Sequence, residues 1–313
     1  MTTWLHAGTT PARIDLSFMN EQPDISVIIP VWNDADRLAR CLRSLEAQTF
    51  PRERMEVLVV DNGSSDASAQ VARGFAFVTL LEEPRPGSYC ARNRALNVAR
   101  GEFVAFTDSD CEAAPDWLAN GIARMRKHPE PGVIAGRIEL FSENGDVTGP
   151  TAVYEKLFAF DQARNVEIGF CVTANWISRR ALILAHGGFA DHLKSGGDRQ
   201  LSNALLAAGH RLVYAPEVVV RHPIRSDAQY QFAKKRRVIG GAWSGTQRPV
   251  PIRFLRLQAA QFLEALSRTR RIALQPSLTT GTRIRTIGFV LALWLVTAAE
   301  ITRLLFGGEP RRA

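Results

Sequence analysis

The chain has 313 residues, 46% of them hydrophobic and 22% charged, a composition that excludes a disordered or collagen-like chain and indicates an ordinary globular protein. Its length is enough for one large α/β domain or two smaller ones. The formal net charge is +8, but 14 lysines and arginines lie between residues 221 and 285 against only Asp227 and Glu264, so the preceding part of the chain is net acidic. The four cysteines include no Cys-x-x-Cys pair, which argues against a zinc knuckle or disulfide framework and favours a reducing cytoplasm.

The first 23 residues form a lead-in in which we expect little order, because they lack the basic start, apolar stretch and cleavage site of a signal peptide. From Ile25 onward short apolar strands alternate with amphipathic helices, and this order predicts an α/β fold with a mostly parallel sheet flanked by helices. The predicted strands are residues 25–31, 55–60, 77–81, 102–107 and 133–140, an extended piece at 172–177, and closing strands at 211–220 that end at His222.

Helices are predicted between these strands. The first is capped by Asn33 or Asp34, because apolar residues follow at i, i+3, i+4 and i+7 on one face. The others begin after the turn cluster 61–66, after the loop 84–88, near Pro115, near residue 153, and at residue 199 with Asp198 as the N-cap.

Two carboxylates, Asp108 and Asp110, leave the apolar strand 102–107 together at its carboxyl end, the edge at which open α/β sheets bind ligands. Mg²⁺ and Mn²⁺ favour oxygen ligands, and Mg²⁺ is commonly held by one or two carboxylates plus substrate phosphates. The paired carboxylates therefore predict a divalent-metal site and phosphate chemistry. The alternative is an acidic turn that only caps the next helix.

Five ordered motifs between Ile25 and about His222 resemble those of the inverting family 2 glycosyltransferases with the GT-A fold. They are Ser26-Val-Ile-Ile-Pro30, the segment 56–66 that ends in Asp61-Asn-Gly-Ser-Ser-Asp66, Ala91-Arg92-Asn93 followed by Gly101, Thr107-Asp108-Ser-Asp110, and Gly196-Gly-Asp198-Arg-Gln-Leu201. The resemblance implies a GT-A type nucleotide-diphospho-sugar transferase domain at residues 24–222.

By that resemblance, a nucleotide-diphospho-sugar donor binds at this edge of the sheet and Mn²⁺ or Mg²⁺ bridges its diphosphate. Asp61 accepts a hydrogen bond from the nucleotide base, with Pro30 shaping the base pocket, and Asp110 ligates the metal. The implied donor-binding residues are Pro30, Asp61, Asp66, Arg92, Asn93 and Asp108, and the implied metal ligands are Asp108, Asp110 and His222. Two alternatives stay open: Arg92 as a solvated helix residue, and His222 as a partly exposed polar residue.

Asp198 matches the position of the family's catalytic base, which takes a proton from the acceptor hydroxyl while that oxygen attacks the anomeric carbon. The family more often has Glu-Asp here, whereas this chain has Gly197-Asp198. The alternative role for Asp198 is that of a helix N-cap. Trp176 either stacks on an acceptor sugar or packs in the core.

Residues 223–285 form a basic extension in which arginines and lysines alternate with leucines and phenylalanines, a pattern typical of a helical surface that lies on anionic lipid. No nucleic-acid motif accompanies the charges, so nucleic acid is not an expected partner; a solvated helical face is the other reading. The apolar residues 286–306 are predicted to form a helix that either spans a membrane or lies on it. Both alternatives stay open because only the thirteen residues 287–299 are free of charge, whereas about twenty apolar residues are needed to cross a bilayer. A short tail, 307–313, ends the chain, and the expected location is the cytoplasmic face of the cell membrane.

Together these features predict a metal-dependent inverting glycosyltransferase that acts on a hydroxyl of a glycan, lipid-linked or cell-envelope acceptor. Transfer is expected to be non-processive, because no Gln-x-x-Arg-Trp pattern follows Asp198. One alternative is a sugar nucleotidyltransferase, which is disfavoured because no Gly-rich phosphate loop follows the first strand. The other is a catalytically degenerate, membrane-bound scaffold, which the glycine at 197 would favour.

Overall fold

The computed structural model describes residues 22–311 except residues 129, 146 and 194, so the predicted lead-in lies almost wholly outside the described residues. The described residues form one mixed sheet of eight strands. In chain order these are β1 (Ile25–Val31), β2 (Met55–Asp61), β3 (Val78–Glu82), β4 (Phe103–Phe106), β5 (Glu112–Ala113), β6 (Pro131–Phe141), β7 (Trp176–Arg179) and β8 (Arg211–Pro223). Across the sheet they lie in the order β3-β2-β1-β4-β7-β6-β8-β5.

The first half of this sheet is parallel, as the sequence predicts. β1 pairs in parallel with β2 and β4, and β2 pairs in parallel with β3. All seven residues of β1 are buried, which is the pattern of a strand covered by helices on both faces. β7 runs antiparallel to β4 and β6, so the second half of the sheet is mixed.

Helices cover both faces of the sheet and give it two cores. They are α1 (Ala35–Glu46), α2 (Ser68–Arg73), α3 (Ser88–Val98), α4 (Trp117–Lys127), α5 (Pro150–Phe158), α6 (Gln162–Glu167), α7 (Arg180–Ala185), α8 (Gly197–Ala207), α9 (Ala228–Ser244), α10 (Val250–Ala273) and α11 (Thr280–Leu305). The helices α1 and α4 pack on one face, and α3, α7 and α8 pack on the other. The predicted buried face of α1 is confirmed at Leu38, Cys41, Leu42 and Leu45.

Three local predictions were wrong. Asp198 is not an N-cap: α8 begins at Gly197, and its cap is Gly196 at φ +87°, a left-handed conformation that glycine adopts without strain. The extended piece at 172–177 contains a short 3₁₀ helix, Thr173–Asn175, before β7 begins. The closing strands are one strand, β8, which continues to Pro223 and absorbs a register shift against β6.

The helices α10 and α11 form an antiparallel pair, the C-terminal hairpin, in which Gln258 Nε2 donates to the carbonyl of Ala298 at 3.2 Å. One face of α11 packs against α5 and α9 through two apolar clusters. Their members are Tyr154, Ala265, Ile272, Phe289, Val290 and Leu293 in one, and Ile239, Trp243, Ile301 and Leu304 in the other. The helix begins six residues before the predicted residue 286, and its inner face belongs to the globular fold.

Candidate active site

Side chains from the ends of two strands, β4 and β8, converge at the carboxyl edge of the parallel strands. Asp108 and Asp110 follow β4, and β8 brings His222 beside them. One ligand atom from each of Asp108, Asp110, Cys111 and His222 can be chosen so that all four lie within 4.8 Å of one another. The two carboxylates and the histidine thus lie close together in the fold, as expected. The short strand β5, which follows Asp110, pairs with β8 and so fixes the segment that carries the two aspartates beside His222.

The hydrogen bonding of His222 shows that this cluster fits a cation. Its Nδ1 lies 2.8 Å from the carbonyl oxygen of Pro223, and a carbonyl can only accept, so Nδ1 carries the proton. Its Nε2 lies 3.3 Å from Asp110 Oδ2, and both side chains are less than a tenth exposed. A lone pair on Nε2 facing a carboxylate needs a proton or a metal ion between them, and neutral imidazole and carboxylate are a donor set suited to Mn²⁺.

Asp110 stays ionised although it is buried. Burial raises the pKa of its carboxyl group, but the positive charges of His222, when both of its nitrogens carry a proton, and of Arg225 outweigh that effect and hold the pKa below its usual value. Arg225 forms an ion pair with Asp110 Oδ2, and its backbone N–H donates to Glu155 Oε2 at 2.6 Å. Arg225 also lines a cavity of about 360 Å³ together with Arg37 and other polar residues. The sequence analysis missed Arg225, although its place three residues after His222 was a usable signal.

Arg92 connects the carboxylate cluster to the residue predicted as the base. It projects from α3, is 3% exposed, and pairs through Nη2 with Asp108 Oδ1. The guanidinium lies 5.8 Å from the centre of the Tyr89 ring. Its charge partly offsets the increase that burial causes in the pKa of Asp198. A solvated helix residue is excluded for Arg92, because its side chain is buried and paired with Asp108.

Asp198 lies in the first turn of α8, close to the start of α3. Its Oδ1 accepts a hydrogen bond from the hydroxyl of Tyr89 at 3.3 Å and from the backbone N–H of Arg199 at 2.9 Å. Burial raises the pKa of the Asp198 carboxyl group above its ordinary value, against the opposing effects of these donors and Arg92. Within the described part of the chain Oδ2 accepts no hydrogen bond, so this oxygen is available to a ligand.

The predicted base-pocket residues lie side by side at the ends of the first two strands. Pro30 of β1 is in register with Val60, and Asp61 is in register with Val31. Asp61 Oδ1 accepts a hydrogen bond from the backbone N–H of Ser64 at 3.0 Å, which closes the turn after β2. Asp61 therefore ends β2 at the sheet edge where the nucleotide donor is expected.

Two of the predicted donor-binding residues hold loops instead of facing the cluster. Asp66 accepts hydrogen bonds from the backbone N–H groups of Ala35 and Ser68 at 3.1 and 3.0 Å, and so ties the turn after β2 to the start of α1. Asn93 donates to the carbonyl of Phe189 at 2.7 Å and accepts from the N–H of the same residue at 2.9 Å. Asp66 also accepts a hydrogen bond from the hydroxyl of Ser68 at 2.6 Å, and both side chains thus stabilise the framework of the site.

Trp176 belongs to the core. Its side chain is 0% exposed and its ring centroid lies 6.0 Å from that of Phe189. The core-packing alternative is therefore the one that the structure supports, because a fully buried ring cannot stack on an acceptor sugar.

Comparisons with known proteins agree with this arrangement. The model of a family described as glycosyl transferase family 2 matches residues 26–186, a little more than half of the chain. The glycosyltransferase AglE of Haloferax volcanii is 32% identical over 209 residues, which cover 65% of this chain and 68% of AglE. The pre-mycofactocin glycosyltransferase of Mycobacterium tuberculosis is 29% identical over 241 residues, which cover 74% of this chain but only 48% of that protein.

Two solved structures share the fold at low sequence identity. The mannosyltransferase PcManGT from Pyrobaculum calidifontis, in complex with GDP-Man and Mn²⁺, superposes with a TM-score of 0.60 at 23% identity, covering 90% of this chain and 88% of its own. TarS of Staphylococcus aureus, in complex with UDP-GlcNAc, superposes with a TM-score of 0.54 at 19% identity, covering 90% of this chain and 83% of its own. Because the family model matches more than half of the chain and AglE is 32% identical to it, the chain belongs to glycosyl transferase family 2 and is a glycosyltransferase.

Proposed function

We propose that this enzyme moves a sugar, with inversion, from a nucleotide-diphospho-sugar to a hydroxyl of a glycan, lipid-linked or cell-envelope acceptor, one sugar per encounter. The observation that carries the proposal is the pairing of His222 with Asp110 beside Asp108. Arg92 of α3 binds Asp108, and Tyr89 of the same helix binds Asp198. The closeness of Asp108, Asp110 and His222 supports a metal ligand set, and the hydrogen-bonded Asp198 supports a base near it. The two solved relatives bind GDP-Man with Mn²⁺ and UDP-GlcNAc.

Asp108, Asp110 and His222 would hold Mn²⁺ or Mg²⁺. A divalent ion there supplies positive charge to the departing diphosphate. Arg92, which is buried and always charged, orients Asp108 and adds to the positive potential beside it. Pro30 and Asp61 would receive the nucleotide base, because they end the two neighbouring strands on the same edge.

Asp198 acts as the base in this proposal. Its Oδ2 takes the proton of the acceptor hydroxyl as that oxygen forms a bond to the anomeric carbon, while the bond from that carbon to the diphosphate oxygen breaks on the opposite face. A single displacement of this kind inverts the anomeric centre. The raised pKa of Asp198 makes its carboxylate a stronger proton acceptor than an exposed aspartate.

The donor is identified by a panel of nucleotide-sugars, beginning with GDP-mannose and UDP-GlcNAc, in thermal denaturation with Mn²⁺, with Mg²⁺ and with chelator. A ligand that binds only the folded state raises the melting temperature, so the true donor should stabilise the protein only when metal is present. Proton NMR of the product then gives the anomeric configuration. Metal-independent stabilisation by the donor, or a product with retained configuration, would contradict the proposal.

We also propose that the C-terminal hairpin lies on an anionic membrane surface at the cytoplasmic face without crossing it. The helix α11 is long and apolar enough to cross a membrane, but a core helix of a soluble protein can be equally long and apolar. Its inner face is packed on α5 and α9 over most of its length, so the helix stays parallel to the surface of the body. A crossing helix would have to leave these contacts.

The outer face of the hairpin has the composition of a membrane-binding surface. Leu255, Phe262, Leu266, Leu291 and Leu295 are 47 to 65% exposed. Every exposed charged side chain on the described hairpin helices is an arginine, and these are Arg256, Arg270, Arg271 and Arg285. Inserting each leucine or phenylalanine fully would contribute about 1.5–3 kcal/mol, and each arginine about 1 kcal/mol near anionic lipid.

Substitution on the outer face tests this better than truncation, because removing α11 would uncover the apolar side chains of Tyr154, Ile239 and Trp243 that pack against it. The triple variant Leu255→Gln, Phe262→Gln, Leu291→Gln should sediment with phosphatidylserine vesicles at low salt and be released at high salt, whereas the wild-type protein should resist salt. Ile168→Gln is the control, since Ile168 is 59% exposed on the catalytic body. Wild-type protein that stays in solution with these vesicles would exclude the membrane proposal.

A further inference from the structure

Tyr89 and Gly197 are fitted to each other beside the candidate base. Tyr89 is the second residue of α3 and Gly197 is the first residue of α8. A Cβ atom added to Gly197 would lie 2.9 to 3.0 Å from three atoms of the Tyr89 ring, closer than side chains pack. The ring therefore fills the space that any side chain at position 197 would need, and only glycine leaves room for it.

The ring of Tyr89 is fixed from its other side. It stacks on Phe189 with a centroid distance of 5.7 Å and an interplanar angle of 19°, and Phe189 in turn packs edge-on against Phe106 at 5.1 Å. The turn that carries Phe189 is held by both hydrogen bonds of Asn93. Tyr89 is 7% exposed, and its hydroxyl donates to Asp198 Oδ1 at 3.3 Å. The backbone N–H groups of Gly197 and Asp198, in the first turn of α8, also face this hydroxyl.

We infer that Tyr89 is a positioning residue that aims the carboxylate of Asp198, and that Gly197 is the glycine this arrangement requires. The inference rests on the proposed role of Asp198 as the base. Tyr89 and the N–H of Arg199 both bind Oδ1, so the carboxylate is held by one oxygen while Oδ2 is turned toward the acceptor. The glycine at 197, where the sequence motif leads one to expect glutamate, thus has a steric reason and is no sign of a degenerate site.

The hydroxyl of Tyr89 also sets the basicity of Asp198. The groups that face this carboxylate are Arg92 and Tyr89 on α3, Asp108 after β4, the thiol of Cys171, and Arg199 on α8. Burial raises the pKa of Asp198, and the donated hydrogen bond from Tyr89 opposes it because it stabilises the ionised form. Removing the hydroxyl alone should therefore raise the pKa of Asp198 further.

Tyr89→Phe tests this, since it removes the hydroxyl and keeps the ring that packs on Phe189. We expect kcat to fall roughly 3- to 10-fold, the effect of losing one hydrogen bond, with metal-dependent donor binding unchanged. The acid limb of the pH profile of kcat should move to higher pH. Tyr214→Phe, on β8 outside the site, is the matched control and should alter neither quantity.

Gly197→Ala supplies a second measurement. The Cβ atom that this substitution adds must displace the Tyr89 ring, so the substitution should lower kcat in the wild-type background. In the double variant with Tyr89→Phe the hydroxyl is already lost, so Gly197→Ala should lower kcat by a smaller factor there. A Tyr89→Phe enzyme with wild-type kcat, or with reduced kcat and an unmoved pH profile, would overturn the inference. An active Asp198→Asn enzyme would instead overturn the proposed function, so the two failures are distinguishable.

Discussion

Asp110→Asn removes one negative charge from the cluster and keeps the size of the side chain. In the wild-type protein this carboxylate is 9% exposed and faces both His222 and Arg225. Breaking a buried ion pair by removing one partner costs about 3–5 kcal/mol, because the remaining charge is left buried. The side chain of Arg225 is 15% exposed, and the amide oxygen of asparagine can still accept its hydrogen bond. We therefore expect the free energy of unfolding to fall by a smaller amount, roughly 1–3 kcal/mol.

The same variant should lose metal binding. Changing a group that only supports a metal ligand weakens affinity by about 10- to 100-fold, so replacing a ligand should weaken Mn²⁺ binding by at least about 100-fold. Isothermal titration calorimetry with Mn²⁺ in the presence of GDP or UDP measures the affinity. Denaturant unfolding without metal measures the stability, and transfer activity should fall with the affinity.

Asp116→Asn is the control for Asp110→Asn, because it makes the same charge change at an exposed position where Asp116 accepts a hydrogen bond from the hydroxyl of Thr49 at 2.8 Å. It should bind metal like the wild-type protein. If Asp110→Asn also binds Mn²⁺ with wild-type affinity, Asp110 is not a ligand and the metal assignment is refuted. Unchanged stability would refute the cost assigned to the buried charges.

Three further outcomes are expected. Asp198→Asn should keep donor binding and lose transfer by at least about 100-fold, the lower range for a general base; activity within a few fold of wild type would place the base elsewhere. Asn93→Ala should lower the free energy of unfolding by about 1–3 kcal/mol, because the backbone of Phe189 loses both partners, and an unchanged stability with weakened donor binding would show direct donor contact instead. Burial raises the pKa of Glu56, but hydrogen bonds from Ser26 and Arg100 outweigh burial, so its folded-state pKa is lowered. The ionised Glu56 therefore stabilises the fold above about pH 4, and this stabilisation is lost as pH falls through the folded-state pKa. Glu56→Gln should therefore destabilise the protein at pH 7 by about 1 kcal/mol in denaturant unfolding, and this difference should shrink as pH falls through the folded-state pKa of Glu56. A difference that does not change with pH would contradict the linkage.

Local patterns in the sequence were enough to predict the parallel half of the sheet and the edge that carries the candidate site. The apolar run of β1 and the spacing of Leu38 and Leu42 on α1 reflect periodicities that hold within a single element. Asp108 and Asp110 follow a strand directly, so their place at its carboxyl end needed no knowledge of distant residues. One wrong prediction has a local cause, because the left-handed conformation of Gly196 lets the helix α8 begin earlier than expected.

Tertiary structure alone decided which side chains work together. The hydroxyl of Tyr89 meets Asp198 across 109 residues of chain, and Arg225 meets Asp110 across 115. No local pattern records such a pairing, and the burial that sets the charges and pKa values of these groups exists only after the sheet and helices have packed. The same holds for α11, whose apolar composition is equally compatible with a bilayer and with a core. Its inner face lies against α5 and α9 because those helices present apolar surfaces of their own, and that complementarity is a property of the packed fold and not of the 26 residues of the helix.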